Sequence, residues 1–168
     1  MQSNTTKKLV IMAMFIALSF VGSYIKIPSP LGTIALDSMA GYLAGLAFGG
    51  ITGGVIGFLG HILTSANAGF PLSLPVHLIV AAMMFISIYF YGVTYRKLNV
   101  FAAAIIGILL NGVASLLVLL LLGQFGLPLP PFLGIAMIPF LVVGSAINVV
   151  LSILLYTPLK NTVLKDTF

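Results

Sequence analysis

The fold class this sequence predicts is an all-α integral membrane protein, a compact bundle of six transmembrane helices with both termini cytoplasmic. Three observations predict it. The 168 residues are 61% hydrophobic and 5% charged, whereas soluble domains carry roughly 25% charged residues, so the chain cannot cover a water-facing surface. Apolar runs are separated by short stretches rich in proline, glycine or basic residues. Positive charges fall on alternate connections, as the positive-inside rule requires. The spans take up the whole length, which reads as one transmembrane substrate-binding domain over residues 1–168.

The first span is expected over about residues 9–25, after Lys7 and Lys8. It superficially resembles a signal peptide, but the apolar run is long and Lys26 follows it without a small-residue cleavage site, so it reads as a retained helix. Residues 27–36 (IPSPLGTIAL) hold Pro28, Pro30 and Gly32 and read as a loop. The second span is expected over about 37–48 and the third over about 51–66, with Gly49, Gly50, Gly53 and Gly54 marking a tight turn. A proline-bearing loop leads to the fourth span at about 76–93, and TYRKLN makes a short basic connection. The fifth span covers about 101–122. A stretch with three prolines follows, and the sixth covers about 132–158.

Charge decides the count. With six spans and a cytoplasmic N-terminus, Lys7, Lys8, Arg96, Lys97, Lys160 and Lys165 lie inside and only Lys26 lies outside. Fusing the second and third spans would carry Arg96 and Lys97 outside, against the rule. This placement also explains the net charge of +5 without any nucleic-acid partner. The bacterial plasma membrane is the expected location.

The stretch Asp37–Asn67 organises the rest. It is a glycine-studded apolar segment with an acid at one end and His61, Thr64, Ser65 and Asn67 at the other. Polar groups in hydrocarbon cost several kcal/mol unless satisfied, so a membrane protein that carries them commonly uses them. In the third span Gly50, Gly54, Gly57, His61, Thr64 and Ser65 recur at helical spacing and share a face. The small residues allow close packing and the polar ones crown the same face. Asn111 and Ser115 repeat the scheme in the fifth span, and Ser145, Asn148 and Ser152 in the sixth. The expected substrate-binding set is Asp37, His61, Thr64, Asn67, His77, Tyr42, Asn111 and Lys26, with Tyr24, Tyr42 or Phe70 available for stacking. Plainer roles stand beside these. Asp37 also suits a helix cap, His61, Asn111 and Asn148 suit interhelical hydrogen bonding, and His77 suits the bilayer edge.

Enzyme chemistry finds no support. No H-E-x-x-H, G-x-S-x-G or P-loop pattern occurs. Only two carboxylates exist, and Asp166 belongs to the tail. The absence of cysteine excludes disulfides and thiolate metal sites. No cofactor is expected in this chain, and ATP-driven transport would need a partner that binds the nucleotide.

Taken together, the six spans, the basic N-terminus, the Ala13-Met-Phe-Ile-Ala17 segment, the proline-rich first loop and the glycine-rich second turn resemble the S components of energy-coupling factor (ECF) vitamin transporters. The resemblance implies capture of a vitamin or precursor from outside, followed by association with a membrane T component and two cytoplasmic ATPases and toppling within the membrane. Ala13 and Ala17 match the family's A-x-x-x-A contact with the T component. Alanines four apart give a smooth face on which a partner helix packs and slides, although ordinary internal packing uses such pairs too.

The segment KIPSPLGTIALDS is similar to the branch that takes up α-ribazole, a benzimidazole nucleoside salvaged for cobalamin assembly. Chemistry is compatible, because the outer side offers one cation, Lys26, and several neutral hydrogen-bonding groups. Biotin, pantothenate, thiamin or its pyrimidine precursor, and riboflavin remain open. The alternative from another class is a stand-alone ion-coupled carrier or small oligomeric channel, in which Asp37, His61 and His77 titrate during transport. In the S-component reading, residues 27–36 act as a lid over the ligand.

Overall fold

In the computed structural model the described residues are 2–29 and 32–161; Pro30 of the first connection and Lys165 and Asp166 of the tail lie outside them. Among the described residues six helices form. They are α1 (Gln2–Gly22), α2 (Met39–Phe48), α3 (Gly50–Asn67), α4 (Leu74–Lys97), α5 (Val100–Gln124) and α6 (Ile138–Leu159). A two-stranded antiparallel hairpin, β1 (Lys26–Ser29) and β2 (Gly32–Ala35), joins α1 to α2. The expected helical class holds for the bundle, and the stretch expected as a loop is instead this hairpin. Its register pairs Lys26 with Ala35 and Pro28 with Thr33. Both strands of a two-stranded ribbon are edges, so a proline without an N–H can turn its bare side outward. The prolines that argued for a loop do not forbid this pairing.

Helix lengths divide the six helices into two groups. Four helical stretches are long and apolar enough to cross a membrane: Thr5–Gly22, Leu74–Lys97, Val100–Gln124 and Ile135–Leu159. With 10 residues, α2 rises only about 15 Å, half of a hydrocarbon core that is about 30 Å thick. It is a half-length helix that folds back onto α3. The sixth helix starts later than the hydrophobic run suggests, because Pro139 sits in its first turn, where a missing N–H is harmless. A 3₁₀ turn, Ile135–Met137, precedes it.

Close backbone approach holds α2, α3 and α4 together. At the turn between α2 and α3, Gly49 adopts φ +97°, a conformation that other residues rarely take. A Cβ placed on Gly53 would lie 2.5 Å from the Cα of Gly45 in α2, and one on Gly92 would lie 2.7 Å from the backbone nitrogen of Gly50. The glycines of α3 do not all serve one neighbour. Gly53 meets α2, Gly54 and Gly57 meet Phe85 and Ile88 of α4, and Gly60 meets Ser19 of α1.

Beside this contact sits the buried core, built from Tyr42, Leu46, Met84, Ile88, Tyr91, Ala103 and Val149. Two tyrosines enter it edge to face, with ring centroids 5.0 Å apart, a favoured aromatic geometry. Their hydroxyls are satisfied internally. Tyr42 Oη lies 2.8 Å from Ser87 Oγ and donates to the Gly107 carbonyl at 3.1 Å, and Tyr91 Oη lies 3.2 Å from Ser152 Oγ. Away from water these pairings avoid the cost of a bare polar group.

Gly53→Ala should therefore destabilise the protein by about 1–3 kcal/mol through overpacking. Gly134→Ala, where an added Cβ meets nothing within 4 Å, should leave the thermal midpoint in detergent unchanged. Equal midpoints for the two variants would contradict the close approach.

Candidate ligand-binding site

The hairpin end of the bundle gathers the polar residues of three elements. Asp37 closes the connection into α2, His61, Thr64 and Ser65 stand in the last turns of α3, and His77 stands in the first turn of α4. Ser38 is the N-cap residue of α2 and makes no side-chain capping bond. The Asp37 carboxylate instead turns to α3. Its Oδ2 lies 3.3 Å from His61 Nδ1 and 3.4 Å from Thr64 Oγ1, whose hydroxyl also reaches the His61 carbonyl at 3.0 Å.

His77 extends this into a chain with a defined proton order. The backbone N–H of Leu72 donates to His77 Nε2 at 3.3 Å. A neutral imidazole has one donor and one acceptor nitrogen, so His77 carries its proton on Nδ1. That N–H faces Ser65 Oγ at 2.9 Å and His61 Nε2 at 3.2 Å. His61 Nε2 is then an acceptor, its proton sits on Nδ1, and Nδ1–H donates to Asp37. One backbone amide thus sets both tautomers. The Asp37 and His61 side chains remain 17% and 13% exposed, which leaves them reachable by a ligand. Among the described residues no three His, Asp or Glu side chains converge as metal ligands would.

A hollow of about 340 Å³ opens beside this chain, between the hairpin end of α4, α5 and α6. Ligand pockets begin at about this size. Most of its wall is apolar, from residues such as Met84, Leu116, Leu119 and Phe140, with Asp37, His61, His77, Asn111, Ser115 and Asn148 as polar members. Asn111 stands in a π-turn of α5, Leu110–Ala114, and its amide donates to Ser145 Oγ at 2.9 Å. Wide turns of this kind are frequent at functional sites. Asn148 is the most informative residue. Its amide nitrogen donates to the Ala35 carbonyl of β2 and to the Gly144 carbonyl, both at 3.0 Å. Its Oδ1 is buried and has no partner among the described residues. Reversing the amide would set that oxygen against two carbonyls, so the orientation is fixed. An unpaired buried acceptor costs about 1–3 kcal/mol, unless something enters the hollow to donate to it.

A second hollow of about 290 Å³ lies across the Asp37–His61 pair, toward α1 and the end of α3. Asp37, His61 and His77 line both hollows, Asn111 lines the first, and Lys26, Thr64 and Asn67 line the second. Tyr24 also lines the second, and its Oη accepts from Asn67 at 3.1 Å. Tyr42 is corrected out of the site, because it is fully buried in the core and its hydroxyl is engaged by Ser87 and Gly107. Phe70 lies with its ring centroid 5.9 Å from that of His77 and lines neither hollow. Ala13 and Ala17 are exposed on α1. The apolar wall escaped sequence reasoning because its residues are indistinguishable from lipid-facing ones. Asn148 was visible only as a polar residue at helical spacing.

A model of the family described as "ECF transporter, substrate-specific component" matches residues 7–160. Among solved structures, one described under "Structure and mechanism of the S component of a bacterial ECF transporter" superposes with TM-score 0.71 at 20% identity, covering 95% of this chain and 98% of that one. At that identity the likeness concerns the fold. No curated protein matches the sequence.

The tautomer order is open to measurement. In histidine-labelled protein at mildly alkaline pH, ¹⁵N shifts should report His77 and His61 as Nδ1–H tautomers. The more common Nε2–H form at His77 would contradict the hydrogen bond from Leu72.

Proposed function

The chain belongs to the family of ECF-transporter substrate-specific components, and we propose that it captures a vitamin or vitamin precursor from outside the cell in the hollow beside Asp37. Members of this family are substrate-binding transporter subunits rather than enzymes, and they work with a T component and ATPases. ATP is accordingly used by the partners. The proposed orientation places the hairpin end outward and both termini in the cytoplasm, in keeping with the basic residues at the opposite end.

Asn148 carries this reading. A buried, unpaired amide oxygen, oriented by the two carbonyls to which the same amide's NH2 donates, on a residue at the wall of a mostly apolar hollow, suits a ring-bearing ligand with an N–H or O–H to donate. Asp37 supplies a carboxylate acceptor in the same wall. Charge-assisted hydrogen bonds are the stronger kind, so ligand hydroxyls gain most there. The ligand we propose is α-ribazole, whose aromatic base suits the apolar wall and whose ribose suits Asp37. The exposure of Ala13 and Ala17 supports their proposed role as the T-component contact, and the β1–β2 hairpin takes the place of the proposed lid. The Asp37–His61–His77 chain would equally suit a proton-coupled carrier. Uptake that persists in cells lacking the ATPase module would favour that reading.

Calorimetry of purified protein against a vitamin panel that includes α-ribazole tests the ligand. Asp37→Asn should weaken binding at least about tenfold, some 1.4 kcal/mol, and unchanged affinity would remove Asp37 from the site. Ala13→Leu or Ala17→Leu should abolish uptake in cells while binding by the isolated subunit persists. If binding also fails, that face of α1 packs internally.

A further inference from the structure

The two hollows share Ala35, Asp37, His61 and His77. His61 is one of the two imidazoles in that shared wall. It is held there by two long hydrogen bonds, 3.3 Å to Asp37 and 3.2 Å to His77. Bonds at that length are at the weak end of the normal range, so a turn of the imidazole removes little and joins the two spaces.

The spaces differ in chemistry. The larger is walled chiefly by aliphatic and aromatic carbon. The smaller presents the Lys26 ammonium and the Asn67 amide as donors, the Asp37 carboxylate as an acceptor, and the hydroxyls of Tyr24, Thr64 and Ser65 as both. An apolar group placed there would strip water from these groups without replacing its hydrogen bonds, and an anionic group would meet Asp37. Hydroxyls, which donate and accept, match the mixed set.

We infer that the two hollows are halves of one binding site for a bipartite ligand: a flat, largely apolar ring in the larger half and a hydroxylated appendage in the smaller, joined where they pass Asp37 and His61. This rests on the capture reading above and assigns each part of the ligand its place.

The native chain has no cysteine, so single reporters are clean. Ser115→Cys reports on the larger half and Asn67→Cys on the smaller, each labelled with a maleimide in detergent. The probes are α-ribazole and its free benzimidazole base. α-Ribazole should slow labelling at both positions about tenfold or more, and the base should do so only at Ser115→Cys. Protection by α-ribazole confined to Ser115→Cys overturns the bipartite site and leaves capture standing. Protection at neither position by either probe overturns capture of this ligand and the inference with it. Asn67→Ala gives an independent measure. It should weaken α-ribazole about tenfold without affecting the base, and an equal loss for both probes, or none, counts against the second half.

Discussion

The close approach of α2, α3 and α4 is the constraint on which the rest depends. In hydrocarbon, helices gain little by hiding apolar surface from one another, and they associate where small residues let backbones touch. Gly45, Gly50, Gly53 and Gly92 provide that contact, with no room for a Cβ at the crossing. A helix as short as α2 cannot cross the bilayer alone. Its position against α3 fixes where Asp37, just ahead of its N-cap, stands, and the packing of α3 on α4 fixes where His61 meets His77. The polar chain at the hairpin end is set by glycine contacts toward the opposite end, beside the α2–α3 turn.

The core and the site use polar groups in opposite ways. In the core, the hydroxyls of Tyr42, Ser87, Tyr91 and Ser152 close on one another or on carbonyls. Such pairs fasten helices together at a modest gain each. At the hairpin end the bonds around His61 are longer and one buried acceptor, Asn148 Oδ1, is unpaired among the described residues. Asn148 also bonds the β2 carbonyl of Ala35. That bond ties the cavity wall to the hairpin through one side chain.

Much of this was legible in the sequence because bilayer physics leaves few options. Hydrophobic runs and basic connections gave six helices, close at the ends of α2 and α3 but seven residues off at the start of α1 and six at the start of α6, and the glycine-to-histidine face of α3 was visible from spacing alone. Asp37, His61, Thr64 and His77 meet as their positions suggested. The features that escaped have physical reasons. Pro28 concealed a strand because a two-stranded ribbon tolerates it. Tyr42 looked like a stacking residue because nothing local distinguishes a tyrosine facing a ligand from one facing Ser87 and Gly107.

The wide turn in α5 has a consequence for how the molecule divides its labour. Gly107, before that turn, faces Tyr42 and Tyr91, while Asn111 and Ser115 line the larger hollow. Each residue added to a helical turn shifts the phase of the downstream side chains by about 100°. The turn at Leu110–Ala114 therefore acts as an angular offset, aiming one half of the helix at the tyrosine core and the other at the cavity. Shortening the chain there by one residue would straighten the coil and swing the cavity-lining side chains toward lipid, while the tyrosine contacts stayed where they are.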